Sequence, residues 1–420
     1  AEPASPEAAC PPYASDSFVE GISDKATGFF RVVRKPDGRW WTIDPLGRGM
    51  VLLGVDHVTF GGHWCEKLGY APHKRKNEKR FKDHAEWEAW ALEKLKAWGF
   101  NMLGAGCDRR LKHRGLVHTV FLNMGSHFGT RGEEFYIAPY EHRPCSVFPN
   151  VFHPDFEAFC RYRARQACRP HRGDPWLLGY FIGNEPPWPN RESEVVDLFL
   201  KGPETATQRR LKEFLAQGDT PARRREFVHG MFERYLALVG QVIKKYDANH
   251  LNLGIRFGGT PPEPILRMAK VFDVCSINVY EYEPTRQMQR VYEVTGRPVV
   301  IGEFHFGVPA DGLGAGLVQT ANQVERAKGY RYYMEQAAAL PCFLGAHWFQ
   351  WRDEPVLGRM DGKNYNIGFV DVTDRPYPEM VAAAKATHRC LHEVHAGKTP
   401  PFAERPRASD IGTPESPWSR

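Results

Sequence analysis

Two glutamates in this 420-residue chain each follow an apolar run that has the composition of a buried strand. Glu185 ends the run 177–185, directly after Asn184, and Glu303 stands near the end of the run 298–304. Retaining cleavage of a glycosidic bond needs two carboxyl groups about 5 Å apart, one protonated and one ionised. Different surroundings push the pKa values of such a pair apart, so one site can supply both forms. We therefore expect Glu185 to act as the general acid/base and Glu303 as the nucleophile.

The elements that must position these glutamates alternate along the chain. Helical patterns of 3.6-residue period, such as those at 87–98, 226–246, 318–338 and 378–394, separate the strand candidates. Strands that alternate with helices predict a parallel sheet with right-handed crossovers, and eight such repeats predict an α/β fold of the (β/α)8 TIM-barrel type. Chemistry in these barrels lies at the carboxyl ends of the strands, where the fourth and seventh strands would present Glu185 and Glu303. The eight strand candidates are 51–57, 101–106, 118–124, 177–185, 252–259, 274–282, 298–304 and 343–351.

A short β-hairpin is predicted before the barrel, with strands at 29–33 and 40–43 joined by Pro36-Asp37-Gly38. We divide the chain into a disordered N-terminal segment (1–16), a single catalytic barrel with its hairpin (17–395) and a Pro-rich C-terminal tail (396–420).

Composition and charge exclude some classes of function. The net charge of +6 is far from the footprint of a nucleic-acid-binding protein. No apolar run approaches the roughly 18 residues that span a bilayer, so no membrane span is predicted. The aromatic content of 13% suits stacking on sugar rings, although composition alone favours a Trp-rich core as its explanation. The first residues, Ala-Glu-Pro-Ala, are typical of a mature exported chain, which predicts a secreted or periplasmic protein.

Neither a metal site nor a cofactor is expected from the sequence. The nine cysteines include no C-x-x-C pair, and the sequence does not say whether any of them form disulfides. His57 and His63 have no suitably spaced third ligand. No Gly-rich phosphate-binding motif follows a strand.

The region around the second glutamate carries a longer pattern. With Asn184-Glu185 on the fourth strand, the chain resembles clan A retaining glycoside hydrolases. Residues of about 298–380 resemble the catalytic barrel of exo-acting β-agarases, which release neoagarobiose. The runs that carry this resemblance are Gly302-Glu303-Phe304-His305-Phe306-Gly307, His347-Trp348-Phe349-Gln350-Trp351 and Asp361-Gly362-Lys363-Asn364-Tyr365-Asn366-Ile367-Gly368-Phe369-Val370-Asp371.

The resemblance implies roles for three further residues. Asn184 would bind the 2-hydroxyl of the sugar, a contact that strengthens in the transition state. Tyr280 would orient the nucleophile and keep it ionised, with Tyr282 as the competing position. Trp348 would form the stacking platform at the reacting subsite, where such stacking contributes about 1 kcal/mol beyond area burial.

Other polar and aromatic residues near strand ends are candidates for substrate binding. Gln350 would share the face of Trp348, while His305 fits either substrate contact or a structural role. Trp188 fits either a leaving-group subsite or loop packing. Arg256 could bind substrate or brace the barrel. The remaining candidates are Asn278, Asp56 and His57.

The sequence thus predicts a retaining β-glycoside hydrolase that acts on β-linked galactose-type sugars, agarase-like or β-galactosidase-like, with an oligo- or polysaccharide as its partner. Two alternatives stay open: an exo-β-glycosidase of different sugar specificity and a non-catalytic carbohydrate-binding barrel. The sequence leaves the oligomeric state open.

Overall fold

A four-stranded antiparallel sheet precedes the barrel in the computed structural model, which describes residues 10–129, 136–137 and 148–409. The predicted hairpin is confirmed as β2 and β3, whose register pairs Arg34 with Trp40. Two strands that were not expected complete the sheet, in the order β1-β4-β3-β2. Its strands are β1 (Val19–Ser23), β2 (Arg31–Arg34), β3 (Trp40–Ile43) and β4 (Arg48–Met50).

The predicted (β/α)8 barrel is confirmed. All eight strands pair in parallel, in the spatial order β6-β5-β14-β13-β12-β11-β10-β7. A bridge between Met102 and Val117 joins the two ends of this order and closes the sheet. The barrel strands are β5 (Leu52–Val55), β6 (Met102–Leu103), β7 (His118–Phe121), β10 (Leu177–Asn184), β11 (Leu251–Gly258), β12 (Cys275–Asn278), β13 (Val299–Phe304) and β14 (Phe343–Trp348). A short ribbon of β8 (Tyr136–Ile137) and β9 (Phe148–Pro149) follows the third barrel strand.

The helices begin at recognisable caps. Asp83, Thr220 and Asn322 each accept a hydrogen bond from a backbone N–H in the first turn of the helix that they precede, which satisfies one otherwise unpaired donor. All four helical patterns found in the sequence correspond to helices, namely α2, α7, α10 and α11. The helices are α1 (Pro72–Arg80), α2 (His84–Ala97), α3 (Met124–Gly129), α4 (Phe156–Ala167), α5 (Glu192–Lys201), α6 (Ala206–Leu215), α7 (Pro221–Tyr246), α8 (Glu263–Met268), α9 (Thr285–Thr295), α10 (Gln323–Ala339) and α11 (Pro378–His395).

The core has two parts. The larger part lies between the strands and the surrounding helices. The smaller part joins the N-terminal sheet to apolar side chains at the start of the barrel strands, including Leu52, Met102, Leu178, Leu253, Val300 and Leu344. We call this end, at the amino ends of the strands, the base, and the opposite end the mouth. Towards the mouth the buried residues become polar: Asp56, Arg256, Ser276, Asn278, Glu303 and His347.

Segments near both termini lie against the barrel. Trp176 donates a hydrogen bond from Nε1 to the carbonyl of Pro11 (2.9 Å), and Gln336 on α10 donates to the carbonyl of Phe402 (3.0 Å). Residues 1–9 and 410–420, and Cys145 among the cysteines, lie outside the described residues. No helix within the described ranges has both the length and the apolar character needed to cross a membrane.

Candidate active site

The two predicted catalytic carboxyl groups meet at the mouth beside Asn278. Glu185 directly follows β10, and its backbone N–H donates to the carbonyl of Arg256 (2.7 Å). Glu303 lies in β13, opposite Asn278 in the register of the neighbouring strand β12. The Asn278 side chain donates from Nδ2 to Glu185 Oε1 (2.9 Å). Asn278 therefore lies next to both glutamates, and Asn184 completes this corner as the last residue of β10.

Glu303 is 8% exposed and is held by two donors. Tyr280 donates its hydroxyl to Oε2 (2.6 Å), and Arg256 Nη2 lies 3.2 Å from Oε1. Burial raises the pKa of Glu303 to about 7, and the charge of Glu185 adds to the rise, whereas Arg256 and the Tyr280 hydroxyl favour the ionised form. The competing position, Tyr282, instead donates its hydroxyl to the carbonyl of Gln319.

Arg256 braces the floor of the site and is only 2% exposed. It pairs with Asp56 (Nη2 to Oδ2, 2.8 Å) and donates to the carbonyl of Gly302. Of the two roles left open for Arg256, the structure favours the brace, because Nη2 contacts Asp56, the Gly302 carbonyl and Glu303.

Asp56 does not reach the mouth, which corrects its expected role in hydroxyl recognition. The side chain is fully buried and accepts hydrogen bonds from Arg256 and from the backbone N–H of Ala105 (2.7 Å). Burial raises the pKa of Asp56 to about 6, while the charge of Arg256 opposes the rise. Asp56 therefore positions Arg256, which in turn contacts Glu303.

His57, also a predicted binding residue, lies at the rim of the mouth with half-buried exposure. Its ring centroid is 5.1 Å from that of His63 and 5.2 Å from that of Phe349. Gln350 is 2% exposed and accepts a hydrogen bond from His63 Nε2 at Oε1 (2.8 Å). Its amide also donates to the carbonyl of Arg352 (3.1 Å), so Gln350 orients His63.

His305 has both ring nitrogens engaged by the protein. Nδ1 donates to the carbonyl of Phe349 (3.1 Å), and Nε2 accepts from the backbone N–H of Leu317 (2.9 Å). Burial lowers the pKa of His305 to about 3, which agrees with this neutral tautomer. The ring lies 4.7 Å from the ring of Tyr280. The structural role of His305 is therefore favoured over direct contact with substrate.

Trp348 does not line the mouth, contrary to the expected sugar platform. Its side chain is fully buried, donates from Nε1 to the carbonyl of Ile367 (2.9 Å), and contacts Phe304, Tyr330 and Phe369. Side chains alternate along a strand, and in β14 it is His347 that lies near Asp56 inside the barrel. Phe349, the residue after the strand, instead has its ring beside that of His57.

Trp188, the second aromatic candidate, packs in the core and not in a leaving-group subsite. It is 2% exposed, and its ring centroid lies 4.9 Å from that of Phe232 on α7. The Trp188 side chain thus packs the loop after β10 against α7, which favours the loop-packing interpretation.

The sequence did not single out Arg359, although it precedes the 361–371 run. Its guanidinium lies 5.6 Å from the ring centroid of Phe349 and pairs with Glu354 (3.1 Å) and Asp361 (2.7 Å). Its positive charge also lowers the pKa of His57 and of His63, after the larger effect of burial. Irregular loop segments carry no periodic signal, so only the neighbouring motif could have pointed to it.

A groove of about 760 Å³ opens beside Tyr280. Its other lining residues include Tyr282, Glu283, Gln319 and Arg405. The C-terminal segment therefore forms part of the surface beside Tyr280.

The chain is of the class of closed barrels with two carboxyl groups at the mouth. Comparisons with known proteins show which members of this class it resembles. No family model matches the chain. Beta-agarase B of Vibrio sp. (strain JT0107) is 28% identical over an alignment that covers 91% of this chain and 50% of the relative. The chain spans about half the length of the curated relatives it matches.

Solved structures show the same fold. The crystal structure of an agarase superposes with a TM-score of 0.77 at 24% identity, covering 91% of this chain and 66% of that chain. The structure of an exo-β-agarase gives a TM-score of 0.76 at 22% identity, covering 92% and 68% of the two chains. The resemblance to β-agarases is thus confirmed in sequence, and the solved agarase structures have the same barrel fold.

Proposed function

We propose that this chain is a retaining β-glycoside hydrolase that acts on β-linked galactose-type sugars in the manner of a β-agarase. The observation that carries the proposal is the pairing of Glu303, held by Tyr280 and Arg256, with Glu185 across Asn278. The similarity to a β-agarase in sequence and to agarases in fold supports the substrate class.

The proposed reaction is a double displacement. The Glu303 carboxylate attacks the anomeric carbon while Glu185 donates its proton to the departing glycosidic oxygen, which leaves a covalent glycosyl ester on Glu303. Glu185, now ionised, takes a proton from water, and the hydroxide oxygen displaces Glu303 from the sugar with overall retention of configuration. Asn184 would bind the sugar 2-hydroxyl in both steps. The scheme needs no cofactor.

The surroundings of the two glutamates support this division of roles. A nucleophile must be ionised, and Glu303 has a cation and a hydroxyl donor to stabilise its charge. Glu185 has a neutral amide as its partner at Oε1. The expected location of the enzyme is outside the cytoplasm, in the periplasm or the medium, where a polysaccharide is accessible.

Azide rescue separates the two roles. In Glu185→Ala, cleavage of agarose falls by about 10²–10⁴-fold, while a nitrophenyl β-galactoside with a good leaving group is affected less. Azide then gives a β-glycosyl azide. In Glu303→Ala, turnover falls by roughly 10³-fold or more, and azide gives the α-anomer. Glu281→Gln, an exposed glutamate on the same rim, serves as the matched control.

The outcomes decide between the candidate functions. If Glu303→Ala retains activity within tenfold of the parent, Glu303 is not the nucleophile and the assignment is overturned. Sugar binding by calorimetry without any product from the parent chain supports a non-catalytic barrel. Hydrolysis of nitrophenyl glycosides without release of neoagaro-oligosaccharides from agarose supports an exo-β-glycosidase of another specificity.

A further inference from the structure

A second cluster of titratable side chains lies at the base, at the opposite end of the barrel from the glutamates. His118 is the first residue of β7, and Asp174 lies just before β10, so both stand at amino ends of neighbouring strands. His113 lies in the segment that leads into β7, and His171 ends the turn Arg169–His171 after α4. We call these four residues the base cluster.

Three imidazole nitrogens of the base cluster converge on one oxygen, Asp174 Oδ2. The distances are 2.7 Å from His113 Nε2, 3.2 Å from His118 Nε2 and 3.3 Å from His171 Nδ1. Ligand atoms around a tetrahedral zinc ion, with bonds of roughly 2.0 Å, lie about 3.3 Å from one another. The ligand atoms of His118, His171 and Asp174 all lie within 4.8 Å of one another, close enough for one small tetrahedral cation to bind all three.

His118 is the member that hydrogen bonding explains least. It is 1% exposed; Nε2 lies 3.2 Å from Asp174 Oδ2, whereas Nδ1 has no hydrogen-bond partner in the described part of the chain. A buried polar group without a partner loses its hydrogen bonds to water and gains none from the protein, which costs free energy.

Asp174 is held in the orientation of a ligand. Its second oxygen, Oδ1, accepts a hydrogen bond from the backbone N–H of Trp176 (2.9 Å), which leaves Oδ2 directed to the histidines. Outer contacts of this kind commonly orient the carboxylates that bind metals.

We propose that the base cluster binds a zinc ion through His118, His171 and Asp174, with His113 as a hydrogen-bonding neighbour of Asp174. Imidazole and carboxylate donors suit zinc, whereas calcium and magnesium take sets of oxygen ligands. The three protein ligands, with a water molecule as the fourth, join the segments that lead into β7 and β10. This proposal departs from the sequence-based expectation of no metal site.

Cys10 lies beside the cluster as an outer neighbour, with Sγ 3.7 Å from His113 Nε2. It brings the N-terminal segment next to the proposed ion without entering the ligand set.

Metal titration of the full chain tests the proposal. After dialysis against a chelator, we expect the protein to take up one zinc ion per chain by elemental analysis and to unfold at a higher temperature with Zn²⁺ than without it. With Co²⁺ in place of zinc, we expect the visible absorption of a tetrahedral complex. Less than stoichiometric uptake, an unchanged midpoint or an octahedral cobalt spectrum overturns the proposal.

Three variants sharpen the test. His171→Ala, at a half-buried position that tolerates truncation, should bind zinc more than about tenfold more weakly and lose the thermal shift. His392→Ala on α11 is the matched histidine control and should bind as the parent does. Cys10→Ser should also keep its binding. A thiolate-to-cobalt band that this variant loses would overturn the ligand assignment.

Discussion

At the scale of single residues, the ionisation of Glu303 depends on its neighbours, and Tyr280→Phe tests one of them. The hydroxyl that bonds Oε2 favours the carboxylate, so its loss raises the pKa of Glu303. Since the nucleophile must be ionised, the acid limb of kcat/KM should move to higher pH. A hydrogen bond to a charged group contributes about 1.5–3 kcal/mol, which corresponds to roughly one to two pH units.

Tyr282→Phe provides the control for that pH profile. Its hydroxyl bonds the Gln319 carbonyl and not a glutamate, so the acid limb should stay in place. Equal shifts in both variants, or a downward shift in Tyr280→Phe, would contradict the role given to Tyr280.

Arg256 stabilises the folded chain as well as the site. Arg256→Met leaves Asp56 buried without its cation, which should lower the free energy of unfolding by about 3–5 kcal/mol in urea. Adding Asp56→Asn should recover part of the loss, since the unpaired charge is then removed. Arg267→Met breaks only an exposed pair with Glu263 and should change stability by less than about 1 kcal/mol. A double variant less stable than Arg256→Met would be inconsistent with this pairing.

At the scale of elements, side chains from β11 and β12 lie close to the backbone of β13 because β13 has a glycine, Gly302, at this position. A Cβ there would lie 2.5 Å from Asn278 Oδ1 and 2.6 Å from Arg256 Nε. Gly302→Ala should therefore displace both residues and lower turnover at least about 10²-fold, the scale of a misplacement of about 1 Å. At Gly183 on β10 the nearest atom to an added Cβ is 3.8 Å away, so Gly183→Ala should retain far more activity. Similar losses in the two variants would count against a specific effect on the site.

The eight barrel strands could be predicted because each is an apolar run bounded by helical patterns. Which face of the sheet each side chain occupies could not be predicted. Both faces of such a strand are buried, so the hydrophobic pattern does not distinguish the inner face from the outer one. Trp348 is the example, since all six residues of its strand are buried. The strands β1 and β4 were missed because β4 has only three residues and ends just before β5 begins.

The site was predicted unevenly for a related reason. Glu185, Glu303 and Tyr280 stand at or just beyond strand ends, where topology alone brings them together. The base cluster draws its members from the first residue of a strand and from loops and turns, with no fixed spacing, so only coordinates place them side by side.

At the scale of the whole molecule, the N-terminal sheet and the barrel share one core. Trp41 is 1% exposed, and its ring lies 4.5 Å from that of His395 on α11, which also bonds the carbonyls of Trp40 and Ala338. Trp41→Ala should therefore cost about 3–5 kcal/mol, and unfolding should remain a single transition by fluorescence and circular dichroism. Trp64, 45% exposed, is the matched control, and Trp64→Ala should change stability by about 0.5 kcal/mol or less. Separate transitions for sheet and barrel would show that they fold independently.

All eight barrel strands run in the same direction, so the glutamates open from one end of the cylinder and the histidine cluster lies at the other. A linker attached near the N-terminal sheet would therefore hold the molecule on a solid support with its glutamates facing outward. In that orientation the immobilised protein would present its glutamates to a gel particle that is too large to enter the pores of the support.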